Sequence, residues 1–264
     1  AILLFSISCK SEKLVMEPEP ELEPISQADT AEVIDSARII QLIRDKEAAI
    51  EAYQPSARRD FDLFHTDLDL SFDYARQAVL GKARLTLKPF FYPQKDVILD
   101  AKDFEVGAVY LVDGVNPTKL SYRYDEKQLQ IYLPELISSQ DTIEVEINYT
   151  AFPNRNAGNG SDAITDTKGL YFIDPLDTIP GKPTMIWTQG ETEHNSKWFP
   201  TIDKPNERFT QTLRLTVPDS MVTVSNGKLV SQRTLEDGNR QDTWEMDLPH
   251  APYLVALAIG DFGK

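Results

Sequence analysis

From residue 61 onward, apolar and polar residues alternate in short runs. In the clearest run, one set of side chains is predicted to face the core and the alternate set to face solvent. The inward set is Phe64, Thr66, Leu68, Leu70 and Phe72, and the outward set is His65, Asp67, Asp69, Ser71 and Asp73. A period of two is typical of a β-strand with one buried face. Further candidate strands lie at residues 83–87, 97–99, 108–112, 129–133, 143–149, 169–173, 185–189, 213–217, 222–225, 244–248 and 253–259. Many short strands with little helix predict an all-β fold, either an antiparallel sandwich or a barrel-like pair of sheets.

The first 60 residues do not share this alternation. Residues 10–28 are rich in Pro and Glu and are predicted to form a tether, because such a composition buries too little apolar surface to build a core. Residues 29–54 are predicted to form a helical extension, since Asp29 and Glu32 make a capping-box pattern and apolar residues follow at helical spacing. The β domain is predicted to span residues 60–262.

The only cysteine of the chain, Cys9, directly follows an apolar stretch over residues 1–8. Residues 1–9 resemble the end of a bacterial lipoprotein signal peptide, in which the cysteine becomes the lipidated first residue of the mature protein. The stretch is too short to span a bilayer. This interpretation predicts a lipid anchor in a membrane of the bacterial cell envelope; the alternative is a hydrophobic N-terminus with a chance cysteine.

Charge and motif content exclude several classes of function. With 42 acidic and 27 basic residues the formal charge is −15, which argues against a nucleic-acid partner because such binding needs basic patches. The three histidines, His65, His194 and His250, are far apart in sequence, and no His-Glu-x-x-His zinc motif occurs. No Gly-x-Ser-x-Gly nucleophile motif occurs either. The residues alone therefore define no complete active site.

Residues 188–205, TQGETEHNSKWFPTIDKP, combine acidic residues, a histidine and aromatic residues in one predicted loop. Its polar residues of interest are Gln189, Glu191, Glu193 and His194. Because Glu191 and His194 are three residues apart, they could share one side of a helical turn, but no third metal ligand is evident. A metal site, a ligand anchor and a structural turn all remain open on these residues.

Several motifs in order resemble the N-terminal domain of zinc aminopeptidases of the aminopeptidase N family. They are Gly169-Leu170-Tyr171, then Thr188-Gln189-Gly190-Glu191, then Phe199-Pro200 with Asp203-Lys204-Pro205, then the closing strand 253–262. The resemblance covers roughly residues 60–262. It implies a twisted, saddle-like antiparallel β-sandwich packed on a thermolysin-like catalytic domain, which in the family binds zinc through His-Glu-x-x-His.

The resemblance also implies roles for two residues of the loop. In the family, the carboxylate at the position of Glu191 receives the α-ammonium of a peptide with a free N-terminus, and the side chain at Gln189 lines the pocket for the first residue. A charge-assisted hydrogen bond of this kind is about twice as strong as a neutral one. Trp198 and Phe199 would hold the loop rigid, and Gly190, where many relatives carry a larger residue, would widen the pocket edge.

The implied activity is removal of N-terminal residues from peptides by a full-length zinc metallo-aminopeptidase, to which this chain contributes the substrate anchor. The chain alone is predicted to be inactive because it lacks the zinc motif. An alternative is a non-catalytic, lipid-anchored β-sandwich that binds a ligand at the cell envelope. A third interpretation is a structural protein of the envelope, in which the tether and helix matter most.

Overall fold

The computed structural model describes residues 36–52, 58–114, 116–159 and 166–262. The contacts divide the chain into two compact units, residues 1–56 and 57–264. The described part of the first unit is helix α1, Ser36–Ala52, whose residues 38–47 are exposed. An N-terminal helix was expected there, but Asp29 and Glu32, Cys9 and the tether over residues 10–28 lie outside the described residues. Within the described ranges, no helix has the length and apolar character needed to cross a membrane.

The second unit is built from strands. In chain order they are β1 Phe61–Asp73, β2 Ala78–Pro89, β3 Gln94–Asp100, β4 Phe104–Val112, β5 Thr118–Tyr124, β6 Gln128–Ile137, β7 Ile143–Ala151, β8 Gly158–Asn159, β9 Asp166–Thr167, β10 Leu170–Ile173, β11 Met185–Thr188, β12 Phe209–Pro218, β13 Val222–Ser225, β14 Lys228–Thr234, β15 Asn239–His250 and β16 Leu257–Gly260. Two short 3₁₀ helices, Asn195–Lys197 and Pro252–Leu254, interrupt the later connections. The predicted all-β class is confirmed.

The strands form a large sheet and two smaller ones. The large sheet has the order β14-β15-β12-β1-β2-β7-β4-β5-β6-β3, the second sheet has the order β10-β11-β16-β13, and β8 pairs with β9. Pairing is antiparallel among the described strands with one exception, because β1 and β12 run parallel, with His65 opposite Thr210. The chain between β1 and β12 is long enough for the crossover that a parallel pair requires.

One hydrophobic core joins the large sheet to the second sheet. Its inward side chains include Leu68 and Leu70 of β1, Leu85 and Leu87 of β2, Ile147 of β7, Leu213 and Leu215 of β12, Ile186 of β11 and Ile259 of β16. Each of these residues is at most 1% exposed. Because the faces of two sheets meet in one core, the architecture is that of a β-sandwich.

The alternation in β1 is interrupted near its start. The β1–β2 register shifts between Leu63 and His65, so one extra residue enters the strand. Phe61 and Leu63 are buried before this bulge, whereas Phe64 is 49% exposed. The prediction that Phe64 faces the core is therefore wrong, because a bulge changes which residues face inward.

Candidate functional site

The loop over residues 188–205 begins at the end of β11, and the position of that end is fixed by the neighbouring strands. β11 lies between β10 and β16 in the second sheet, so hydrogen bonds on both sides hold its end. The Thr188 hydroxyl accepts a hydrogen bond from the Leu257 N–H at 2.9 Å. The next residue, Gln189, donates its backbone N–H to the Gly169 carbonyl at 2.8 Å. The loop therefore begins from a rigid strand rather than from a free connection.

Residues 190–194 form a tight turn that is closed by the His194 N–H, which donates to the Gly190 carbonyl at 2.9 Å. Behind this turn lies the fully buried side chain of Asn195. Its Nδ2 donates to the carbonyls of Pro252 at 2.7 Å and Val255 at 3.0 Å. Asn195 thus fastens the turn to the segment that precedes the closing strand β16.

Two glycines allow this close approach. A Cβ on Gly190 would lie 2.4 Å from Nδ2 of Asn195, so the space beside Gly190 is already filled. Gly190 brings the turn against Asn195, and its missing side chain does not leave an open pocket edge. Gly169 has a φ of +70°, and its Cβ would lie 2.0 Å from the His194 carbonyl oxygen. A residue without a side chain is required there both for the backbone conformation and for the space.

The aromatic part of the loop is buried. Trp198 and Phe199 are both 0% exposed, and their rings meet edge to face with centroids 4.5 Å apart. The Trp198 Nε1–H donates to Oδ1 of Asn195 at 2.7 Å, and the Trp198 carbonyl accepts the Tyr149 hydroxyl at 3.0 Å. Burial raises the pKa of the Tyr149 phenol, which keeps it a donor. These buried contacts support the turn over residues 190–194.

The last part of the motif anchors the loop to the end of β3. Asp203 is 1% exposed, and its Oδ2 accepts the Ser196 N–H at 2.9 Å. Its own N–H donates to Oδ2 of Asp100 at 3.0 Å, and Asp100 and Thr201 pair through their backbones. Burial raises the pKa of the Asp203 carboxyl. Asp203 therefore has a structural role inside the loop.

Two lysines, one outside the loop and one near its end, contact Glu193 in the middle of the loop. Lys102 donates through Nζ to the Glu193 carbonyl at 2.7 Å, and Lys204 binds the Glu193 carboxylate at 2.6 Å. His194 lies beside them, half-buried, and its pKa is lowered by burial first and then by Lys102 and Lys197. Glu193 and His194 are thus occupied by contacts within the loop and its supports.

The two residues expected to contact substrate occupy different positions on this support. Gln189 is half-buried at the start of the turn, and Glu191 is exposed at its tip. Among the described residues, no hydrogen-bond partner is seen for the Gln189 amide or for the Glu191 carboxylate. Glu191 is therefore an exposed acceptor on a rigid turn, able to receive N–H donors from a ligand or a neighbouring domain.

The structure does not bring the histidines together. His65 hydrogen-bonds with Thr210 and Thr212, and His250 with Gln211, while His194 lies in the loop. Burial lowers the pKa of all three. Across the described ranges, no group of three or more His, Cys, Asp or Glu side chains is placed to hold a metal ion.

Sequence reasoning missed most of the supporting residues. Lys102 lies 91 residues from its partner Glu193, and Tyr149 lies 49 residues from its partner Trp198. No local sequence pattern predicts contacts over such separations. Asn195 lies within the motif itself, and its burial could have been suspected from the aromatic residues that follow it. Gly169 was included in a family motif, but its contact with His194 was not expected.

Comparisons with known proteins agree on one type of domain. The family profile described as "Peptidase M1 N-terminal domain" matches residues 62–254. Leucine aminopeptidase 2 of Pyricularia oryzae is 23% identical over 216 residues, which are 80% of this chain and 33% of that relative. Aminopeptidase B of Rattus norvegicus is 24% identical in an alignment of 237 residues that covers 82% of this chain and 34% of that relative. The chain spans about a third of the length of these curated relatives.

A solved structure shares the fold. An M1 zinc metallopeptidase mutant from Deinococcus radiodurans, bound to a Tyr-Ser-Ala substrate, aligns with a TM-score of 0.61 and 20% sequence identity. The alignment covers 76% of this chain and 43% of that one. At this identity the match supports the architecture of the β domain and does not assign roles to its residues.

Proposed function

The chain belongs to the peptidase M1 N-terminal domain family, and we propose that it is the substrate-anchoring domain of a zinc metallo-aminopeptidase that removes N-terminal residues from peptides. The relatives that it matches are named as aminopeptidases, and the aligned solved structure carries a peptide substrate. Because the chain spans about a third of those relatives, hydrolysis would require a downstream catalytic domain of the same protein.

Glu191 is the proposed anchor for the α-ammonium group of the substrate. The observation that carries this assignment is an exposed carboxylate, without a hydrogen-bond partner in the described residues, at the tip of a turn held by buried Asn195 and Trp198. When a catalytic domain covers the turn and excludes water, the attraction between carboxylate and ammonium strengthens. Holding the amine also sets which peptide bond lies at the catalytic centre, so that one residue is removed at a time.

Gln189 is proposed to line the pocket for the first side chain. It lies two residues before Glu191, and its backbone is held by Gly169 while its amide has no partner among the described residues. A half-buried amide can both contact an apolar side chain and donate to a polar one. The pocket would be completed by the catalytic domain.

Replacing Glu191 with Gln in the full-length enzyme tests this assignment. Because glutamine keeps the size but loses the charge, we expect kcat/KM on peptides with a free N-terminus to fall about 10- to 100-fold, with a higher KM and a lower kcat. The matched control is Glu236→Gln, which removes an exposed carboxylate from the β14–β15 turn and should leave kcat/KM unchanged. Unchanged kinetics for Glu191→Gln would refute the anchor role.

Zinc is not assigned to this chain. The described residues provide no cluster of ligands for it, so the metal of the proposed enzyme would be bound elsewhere in the full-length protein. The coding sequence beyond Lys264 separates the two candidate functions. A His-Glu-x-x-His motif there would support the peptidase, whereas a stop codon would support the alternative, a non-catalytic binding module.

We further propose that Cys9 is lipidated and anchors the protein to the bacterial cell envelope. The basis is its position after the apolar residues 1–8, together with a Pro- and Glu-rich segment that could separate the domain from a membrane. We expect the protein, expressed with its natural leader in a bacterium, to enter the detergent phase of a Triton X-114 extraction, and the Cys9→Ser variant to stay in the aqueous phase. A wild-type protein found in the aqueous phase would contradict the anchor.

A further inference from the structure

The connection between β2 and β3 exposes an unusual concentration of aromatic surface. We call residues Phe90, Phe91 and Tyr92 the aromatic tip. Phe91 and Tyr92 are each 75% exposed, the highest values among the large hydrophobic side chains of the described residues. The Phe90 and Phe91 rings contact each other with centroids 4.2 Å apart. The tip is flanked by Pro89 and Pro93, which restrict the backbone on both sides.

The conformation of the tip presents the rings outward at an energetic cost. The Tyr92 N–H donates to the Phe90 carbonyl at 2.8 Å, which closes a three-residue turn around Phe91. Phe91 has a φ of +63°, a region that bulky residues rarely occupy. The Phe90 N–H donates to the Asp60 carbonyl at 2.8 Å, so the turn is attached to the segment before β1. Apart from its contact with Phe90, the Phe91 ring is largely exposed, so most of its apolar surface is left free to contact a partner.

Basic side chains surround the base of the tip. Lys88 is the last residue but one of β2, Lys95 follows the tip in β3, and Arg59 lies over the Phe90 ring at 4.6 Å. Within the described residues, Lys88 and Lys95 have no carboxylate within ion-pair distance. Arg58 and Arg59, in contrast, are paired with Asp60, Asp62 and Glu207. Lys88 and Lys95 are thus basic side chains near the tip without an ion-pair partner in the described residues, while three carboxylates lie beside the two arginines.

Further exposed apolar side chains lie on the strands near the tip, since Ile98 of β3 is 43% exposed and Tyr132 of β6 is 42% exposed. Gln94, two residues after Tyr92, pairs with Ile137 of β6, and the neighbouring Leu136 is 63% exposed. The apolar surface thus consists of the tip and a few separate side chains on the neighbouring strands. A stable protein interface usually buries about 800 Å² on each partner, which the three rings of the tip do not offer by themselves.

We propose that the aromatic tip inserts into the interfacial region of a lipid bilayer, with Lys88 and Lys95 at the level of the headgroup phosphates. Aromatic rings partition into this region, and lysine side chains extend from apolar surfaces to reach polar groups. A lipid surface can adapt to a projecting turn without a complementary shape. Because the whole chain carries a charge of −15, attraction to the membrane must come from the tip and its two lysines and not from the overall charge.

Vesicle binding tests the proposal independently of Cys9 and of catalysis. The full-length protein carrying Cys9→Ser is sedimented with phosphatidylcholine vesicles and with vesicles in which part of that lipid is replaced by phosphatidylglycerol. We expect Phe91→Ser with Tyr92→Ser to lower the partition coefficient at least about tenfold on both. The matched control is Leu248→Ser, which removes a 70% exposed leucine from β15 and should leave the coefficient unchanged.

A second set of variants reports the depth of insertion and the role of the lysines. Phe91→Trp should show a blue-shifted emission with vesicles and quenching by brominated lipids, while Leu248→Trp should show neither. Lys88→Gln with Lys95→Gln should weaken binding only to the phosphatidylglycerol vesicles. Three results would each overturn the proposal. They are no vesicle binding by the Cys9→Ser protein, equal losses for the tip and Leu248 variants, and a dimer in sedimentation velocity that the tip variant dissociates.

Discussion

Replacing Trp198 with Ala should lower the free energy of unfolding by about 3–5 kcal/mol, the range for deleting a fully buried large aromatic side chain. The indole is 0% exposed, packs on Phe199 and donates to Asn195, so the change leaves both a cavity and an unpaired buried amide oxygen. Chemical denaturation of the full-length protein, followed by circular dichroism, measures the effect on its β domain.

Trp198→Phe separates the two contributions. Phenylalanine fills much of the indole volume but cannot donate to Oδ1 of Asn195, so we expect a loss of about 1–3 kcal/mol. If Trp198→Ala costs no more than Trp198→Phe, then packing of the indole does not support the loop. In that case the rigidity that we assign to the turn carrying Glu191 would have to come from the hydrogen bonds of Asn195 and from the contacts of Glu193 with Lys102 and Lys204.

The fold class followed from periodicity, but the details of the sheet did not. Alternation in β1, β2 and β7 reflects one buried face, and a sequence pattern records burial directly. Strand β14 has no such pattern because all seven of its residues are exposed at the sheet edge, and it was not predicted. The parallel pairing of β1 and β12 was also not predicted, since the period of two is the same in both directions.

Part of the candidate site could be predicted from the sequence, because that part is also recorded in a local pattern. The order Gln189, Glu191, Trp198 and Asp203 lies within one short segment, so its motif could be recognised. What holds that segment in place comes from distant parts of the chain, such as Lys102 and the carbonyls of the Pro252–Leu254 helix and its neighbour. Such contacts depend on how strands from different regions are brought together, and local composition does not encode them.

The three acidic residues of the loop differ in whether their carboxylates have partners in the described part of the chain. Asp203 is buried and satisfies a backbone N–H, and Glu193 is paired with Lys204, so both carboxylates are used in holding the loop. Glu191 has no such partner in the described residues. The resemblance to aminopeptidases pointed to Glu191 from the motif, and of the three carboxylates Glu191 is the one without a partner in the described part of the chain, as the proposed anchor role requires.

Replacing Gly169 with Ala should destabilise the β domain by about 2–4 kcal/mol and displace the turn that carries Glu191. The new methyl group would meet the His194 carbonyl oxygen, 2.0 Å away, so backbone must move in addition to the strain of a φ of +70°. The matched control is Gly181→Ala, at a φ of +77° with nothing within 4 Å of the added Cβ, which should lose only about 1–2 kcal/mol. In the full-length enzyme, we also expect Gly169→Ala to lower kcat/KM up to about 100-fold, because small displacements of a positioning group are costly. Equal losses of stability for the two glycine variants, with kcat/KM unchanged in both, would show that the contact between Gly169 and His194 does not position Glu191.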